Sequence, residues 1–376
     1  MSTSPAASSR HSAVIPAIFL AGLLLRIAVS VWNAYFGPSF GGEGDALSFH
    51  EFAVAAAAGH VDERDFTTGW IYPSLLALIY QITTPSLFIG GVLSAVAWWL
   101  SALVLLKLCR VVAVSDRALP AIALIYALLP SSFLVTAITL REAYQMLFVN
   151  LMMLFGLQLV HRLRAFPLFF FALSAYAAAW MHAALAAFGL AAAIILFAAK
   201  MLHRGMRIAA PLIAIGALAI ALLGAAAVIG YDPSSSISDL VSAFREGTPD
   251  DARTNYPSTL AFGSMYELIA AFPAILTQYL FEPMPWRIGG WADVYLFMEN
   301  IGRFVLIIAA LKNVASTRPI RADLLALTAC YFACEAIWAI GTVNWGTASR
   351  HHLPTLGCLL VIGFARYGRV KPQAVV

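Results

Sequence analysis

Charge is scarce in this sequence. Only 11% of its 376 residues are Asp, Glu, Lys or Arg, where a soluble domain carries roughly 25%. Hydrophobic residues make up 61%, more than a fold in water can hide, which excludes an ordinary soluble enzyme or binding module. Cysteine is nearly absent: Cys109, Cys330, Cys334 and Cys358 all fall within or at the edge of apolar runs, so no disulfide framework is implied. Cys330 and Cys334 share a helix face, but no histidine or acidic pair joins them at ligand spacing, and they read as small packing residues. No repeat, low-complexity tract or separate soluble domain stands out. The expectation is one integral-membrane domain over residues 1–376.

Apolar runs long enough to cross a ~30 Å hydrocarbon core recur along the chain. They predict an all-α polytopic membrane protein of about ten transmembrane helices, near residues 13–36, 85–107, 118–138, 142–160, 165–181, 183–199, 208–230, 292–311, 322–341 and 353–365. The first run is too long for a signal-peptide core and is read as a retained span. With both termini cytoplasmic, 15 of the 23 basic residues, every lysine among them, fall in cytoplasmic segments, and 15 of the 19 acids fall on the opposite side. Such asymmetry predicts a bacterial inner-membrane orientation by the positive-inside rule. It also accounts for the pI near 8.9 without a nucleic-acid partner. The short apolar stretch 69–82 contains Pro73; as a span it would invert every later loop, so it is expected to be re-entrant or interfacial. Two long extracytoplasmic loops result, 37–84 and 231–291, both expected to carry interfacial helices and, by their length, function.

Four groups of residues carry candidate chemistry. In the first long loop, Gly41, Gly42 and Gly44 surround Glu43 and Asp45, and a helix with an apolar stripe of Phe49, Phe52 and Ala56 follows. Asp45 reads either as that helix's cap or as a carboxylate at the water–lipid boundary able to accept a proton from a hydroxyl. At the turn between the third and fourth spans lie Arg141 and Glu142. Adjacent helical residues diverge, so Arg141 needs another partner, for which a lipid phosphate is well suited; snorkelling as interfacial anchors is the plainer alternative. The last outer turn, GTVNWGTASRHHLP, holds Arg350, His351 and His352. Arg350 offers a planar fork matched to phosphate, whereas two adjacent histidines lack the spacing of a metal site. In the second long loop, Arg253 and Arg287 are aimed at a phosphate or sugar acid, Trp286 and Trp291 suit the headgroup level, and acids such as Asp250 and Asp251 read as solvated.

Charges inside spans are expected to pair. Glu299 and Arg303 are one helical turn apart and can share a face, which leaves Arg26 and Glu335 as partners across the bundle.

The stretch D-x-x-x-F-H-x-x-A from Asp45 to Ala53, followed by YPSLLALIY and then paired spans, resembles the membrane glycosyltransferases of the C-type fold. These include relatives of the protein O-mannosyltransferases and of the lipid A aminoarabinose transferase. The likeness extends over about the first 200 residues. It implies a polyprenyl-phosphate sugar donor and an outer-loop carboxylate acting as base, here Asp45, with Glu43 as the second acid of that loop. The FEPMPW and NWGTASRHHLP stretches resemble exopolysaccharide and O-antigen polymerases, which act on diphosphate-linked repeat units. Both resemblances imply transfer of a sugar or oligosaccharide on the periplasmic face; in the transferase reading Asp45 is the base and Arg141 and Arg350 stabilise the departing phosphate, with Glu142 and His351 beside them, whereas a polymerase-like site would rest on Arg141 and Arg350 without a carboxylate base. A transporter or flippase of lipid-linked sugars is the alternative from another class. No cofactor is called for, a divalent cation is left open, and the expected partners are the lipid-linked donor, membrane lipids and other polysaccharide-assembly proteins.

Overall fold

The computed structural model describes residues 5–38, 41–60, 71–206, 253–256, 265–317 and 321–365. The expected span 208–230 and most of the second long loop, with Asp250 and Asp251, lie outside the described residues. Within them the chain is all-α apart from one isolated β-bridge between Asn255 and Asn344. The helices, in chain order, are α1 (Pro5–Tyr35), α2 (Asp45–Ala57), α3 (Ile71–Ile82), α4 (Leu87–Val111), α5 (Leu119–Leu128), α6 (Pro130–Val135) and α7 (Glu142–His161). After them come α8 (Ala165–Met181), α9 (Ala183–His203), α10 (Met265–Phe281), α11 (Trp291–Ser316), α12 (Ala322–Gly341), α13 (Trp345–His351) and α14 (Leu356–Phe364).

Six of these, α1, α4, α7, α9, α11 and α12, are long and apolar enough to cross a membrane. They turn many large apolar side chains outward, Leu24, Leu100, Phe197, Phe304 and Val305 among them, a surface that water does not tolerate over such an extent. The chain is therefore a multi-pass membrane protein, in which helices satisfy their own backbone.

Two of the ten expected spans, 118–138 and 353–365, take shorter form, while 165–181 keeps its expected bounds. The run 118–138 is divided: α5 stops at Leu128, Leu129 leaves helical geometry, Pro130 opens α6, and residues 136–141 are non-helical. The physical reason is Pro130, which lacks the N–H that would continue the helix. The run 165–181 forms a helix of 17 residues, and the run 353–365 only the nine of α14, after a turn over 352–355. Segment 136–141 lies against α4, where Gly90 and Gly91 let it approach. A Cβ on Gly91 would stand 2.8 Å from the Ala137 carbonyl oxygen, and the Ser94 hydroxyl donates to the Leu140 carbonyl. Small residues at such crossings are how membrane helices pack without a hydrophobic driving force.

Two elements carry the mouth of the bundle, the end where α1 finishes and α4 and α7 begin. Helices α2 and α3 pack as a hairpin through Ala53, Leu76, Ala77 and Tyr80, fastened by a 2.8 Å bond between His50 Nδ1 and the Tyr80 hydroxyl. Helix α10 dips into the bundle from this same end. Asn300 donates to the Glu282 carbonyl at its foot and Arg303 donates to the Leu280 carbonyl. Asn300 lies nine residues into α11, about 14 Å below its start. The chain then runs through residues 282–290 to Trp291 at the start of α11.

Both expected intramembrane pairs are replaced. Arg26 donates to the Thr136 hydroxyl and to the carbonyls of Gly22 and Ala127, and its guanidinium stacks 3.6 Å over Trp98. The carbonyl comes free because the helix breaks after Leu128. Glu335 is held by His352, 2.5 Å away, and by the Thr355 hydroxyl. Glu299 accepts the Ser131 backbone N–H at the start of α6, while Arg303 turns to Asn300 and Leu280. The cost of charge in lipid named the charges correctly but not their partners, which are backbone groups beside the helix breaks and polar side chains such as His352, Thr355 and Asn300.

Candidate functional site

Arg350, on α13, sits at the centre of the mouth. Its Nη1 donates to Asp45 at 2.8 Å, and its Nε and Nη2 both reach Glu142, at 2.7 and 2.5 Å. The two carboxylates differ in setting: the Glu142 side chain is 3% exposed and that of Asp45 is 56% exposed. Glu142 thus anchors the guanidinium from below, while Asp45 meets it from the open side. Burial works to lower the Arg350 pKa, but Glu142 and Asp45 outweigh it and hold the guanidinium above its ordinary value.

Asp45 is not a cap. Helix α2 begins at Asp45 itself, after Gly44 in the left-handed region at φ 61°, and no side chain caps it. The carboxylate is instead turned to Arg350, 305 positions away in sequence. Glu43 is exposed on the preceding turn. Arg141, just before α7, places its guanidinium 5.3 Å over the Phe49 ring of α2. Burial lowers its pKa; the charge of Arg350 adds to that effect, while Glu142 and Asp45 oppose it. Asp45, Arg141, Glu142 and Arg350 therefore form one electrostatic unit whose formal charges cancel.

Beside this unit lie two histidines that share a tryptophan. His351 stacks on Trp338 of α12 with ring centroids 3.8 Å apart, and His182 approaches the same indole at 4.4 Å. The two imidazoles are 5.8 Å apart. His182 is the single extended residue between α8 and α9, and its Nδ1 accepts the Ala184 N–H to start α9. His351 Nδ1 lies 2.8 Å from the Thr342 hydroxyl. Burial lowers the pKa of both rings. Arg141 and Arg350 lower both further, and for His351 so does His182.

Arg253 and Arg287 belong to a second cluster, five residues back along α13 around Trp345. Arg253 makes a two-pronged contact with Asp293, at 2.7 and 3.3 Å, and Asp293 also accepts from the Gly289 N–H and the Trp345 indole N–H. Arg287 pairs with Glu282 at 3.4 Å, donates to the Asn255 carbonyl and stacks 4.6 Å over Trp345. These two arginines, aimed in sequence at a phosphate or sugar acid, are engaged with carboxylates, Asp293 at the start of α11 and Glu282 of their own loop. The cluster has a structural use: Tyr256 N–H donates to the Val343 carbonyl and Trp345 N–H to the Thr254 carbonyl, so the second long loop is clamped to α13. Asn344 caps that helix by accepting the Thr347 N–H.

Sequence reading missed His182 and Trp338. The available signal for His182 was its isolation, one polar residue between two runs of alanine and leucine at the point where the helix direction reverses. Among the described residues no group of three or more His, Cys, Asp and Glu side chains is placed to hold a metal ion. All four cysteines are buried free thiols. No family model matches the chain, and neither the curated proteins nor the solved structures hold a match to it.

Proposed function

We propose that the chain is an inner-membrane glycosyltransferase of the C-type fold that moves a sugar or oligosaccharide from a polyprenyl (di)phosphate carrier to an acceptor on the periplasmic side. In this reading the mouth faces the periplasm, both termini are cytoplasmic, and ten crossings arise when 208–230 and the shorter helices are added to the six long ones. The observation that carries it is the bridge from Asp45 through Arg350 to Glu142. An arginine anchored by one buried carboxylate and shared with one exposed carboxylate is a site where an incoming phosphate can replace the exposed partner. Phosphate binding to Arg350 then releases Asp45. The bond from the sugar's anomeric carbon to the phosphate oxygen breaks, the acceptor oxygen bonds that carbon, and its proton passes to Asp45. Arg350 and Arg141 stabilise the charge on the leaving phosphate. The α2–α3 hairpin, over which an acceptor must pass, supplies the interfacial surface. A diphosphate carrier with repeat units on both substrates would make the same chemistry that of a polymerase.

A second reading, a carrier of lipid-linked sugars, is favoured by the broken α5–α6 helix and the dipping α10, because discontinuous helices line the sites of many transporters. One experiment separates the two. Purified protein in lipid nanodiscs is given a polyprenyl-phosphate sugar, and sugar transfer and binding of undecaprenyl phosphate are measured for the natural sequence and for Asp45→Asn. The transferase reading expects binding within about threefold of the unaltered protein and transfer reduced by about two to four orders of magnitude. Undiminished transfer by Asp45→Asn sinks the base assignment, and lipid translocation without transfer supports the carrier.

A further inference from the structure

The four charges of the mouth cancel: Arg141 and Arg350 against Asp45 and Glu142. A phosphate entering such a unit brings negative charge that nothing already there balances, since Arg350 is held by two carboxylates. His351 and His182 are the neighbouring groups able to change that. The charged and titratable groups facing them are Arg141 from the start of α7, Arg350 and His352 from α13 and the turn after it, and each other. Glu142 and Asp45 stand behind Arg350, and Glu335 of α12 is committed to His352 and Thr355.

The two rings are not equivalent. His182 uses Nδ1 as an acceptor for the Ala184 N–H, so the neutral ring carries its proton on Nε2. A second proton would set one N–H against another and break the start of α9. The Nδ1 partner of His351 is a hydroxyl, which accepts as readily as it donates, so His351 gains a proton without losing a bond. Its face lies 3.8 Å from the Trp338 ring at 21°, an arrangement that favours a cation over the indole. Burial, His182 and the two arginines all oppose a charge on His351; an anion against those arginines lessens that opposition.

We propose that His351 and His182 form a further phosphate-binding pair of this site, in which His351 takes up a proton from water as the phosphate enters while His182 stays neutral and donates from Nε2. The ligand class is a phosphate ester or free phosphate, and the inference rests on the phosphate-binding reading of Arg350 but not on sugar transfer. The sign follows directly. The His351 pKa rises on binding, so affinity is highest at low pH and is lost as pH climbs through the bound-state value, by about tenfold per unit in the steep part.

The test uses the full chain in nanodiscs, with undecaprenyl phosphate in one arm and inorganic phosphate in the other. Calorimetry in two buffers of different ionisation heat counts the protons taken up from pH 5.5 to 8.5. The phosphate's own titration near pH ~6 is common to every protein compared, so the decisive quantity is the difference between the natural sequence and His351→Gln. About one proton is expected to disappear with His351→Gln. His182→Asn keeps an acceptor for the Ala184 N–H, and is expected to weaken binding while leaving the proton count unchanged. Equal proton uptake with and without His351 overturns the proposal, as does loss of the proton in His182→Asn. Should His351→Gln fail to fold, the natural sequence alone decides, since uptake no greater than the phosphate's own titration overturns it. Binding of undecaprenyl phosphate without the extra proton leaves the donor reading standing and removes this one. Binding of inorganic phosphate alone, with the extra proton, does the reverse.

Discussion

A buried charge finds whatever partner its depth offers. Arg26, fully buried, is satisfied by the Ala127 carbonyl that the break after α5 exposes, by the Gly22 carbonyl of its own helix, by the Thr136 hydroxyl and by the face of Trp98, whereas Glu335 is satisfied by His352 and Thr355. The two share no hydrogen-bond partner. Arg26→Met and Glu335→Gln are therefore each expected to lower thermal stability in detergent, and the double variant to lose the sum of the two within about 0.5 kcal/mol. A double variant clearly more stable than that sum would reinstate a direct pair. This is the level at which sequence reading was weakest. It identified Arg26, Glu299, Arg303 and Glu335 from the cost of charge in lipid, because that cost is local. It paired Glu299 with Arg303 from helical spacing and Arg26 with Glu335 as what remained, while the structure draws their partners from the backbone of α5, α6 and α10 and from the last turn. By contrast, Asp45, Glu142 and Arg350 were legible because each is a charge at the edge of an apolar run, where only function or pairing keeps it.

At the level of elements, the interruption at Leu129 and Pro130 organises much of the interior. It frees the Ala127 carbonyl for Arg26 and leaves the Ser131 N–H pointing at Glu299. Glu299→Gln keeps an acceptor for that N–H, but Glu299→Ala leaves it buried and unsatisfied, a loss of about 1–3 kcal/mol. Thermal melts of the two variants should thus separate by that order, with alanine the less stable. Equal melts would mean that the carboxylate does not cap α6. Pro130 was visible in the sequence, yet a continuous apolar run from 118 to 138 outweighed it, since hydropathy counts side chains and is blind to the missing N–H. The separate short helices α2 and α3 were easier to foresee, from the apolar stripe of Phe49, Phe52 and Ala56 and the short length of 69–82, but their packing against each other was not, because it joins residues that no local spacing connects.

For the whole molecule, the distribution of basic residues and the arrangement of helix ends agree. Arg110, Arg162, Arg164 and Arg204 flank the ends opposite the mouth, the distribution that the positive-inside rule requires of the proposed orientation, with the mouth outside. In intact cells, cysteine placed at His60 is expected to react with an impermeant thiol reagent, and cysteine placed at Met206 is not. Met206 is chosen over Gly205, whose φ of 87° suits glycine. Both positions are exposed, and the four natural cysteines are buried and contribute little background. Labelling of position 206 from outside would invert the orientation. The bridge of Arg350 has one more consequence, which concerns biosynthesis. Its two carboxylate partners leave the ribosome first, Asp45 being 305 residues ahead of Arg350, a delay of roughly 15 to 60 s at ~5–20 residues per second. Glu142, 208 residues ahead of Arg350, waits at the membrane boundary without this cation for roughly 10 to 40 s at the same rate, so a nascent chain stalled before residue 350 carries an acidic group that lipid rejects. Such a chain is unfinished in a way that the cell's membrane proteases can recognise, and the last turn to be translated is what closes the mouth.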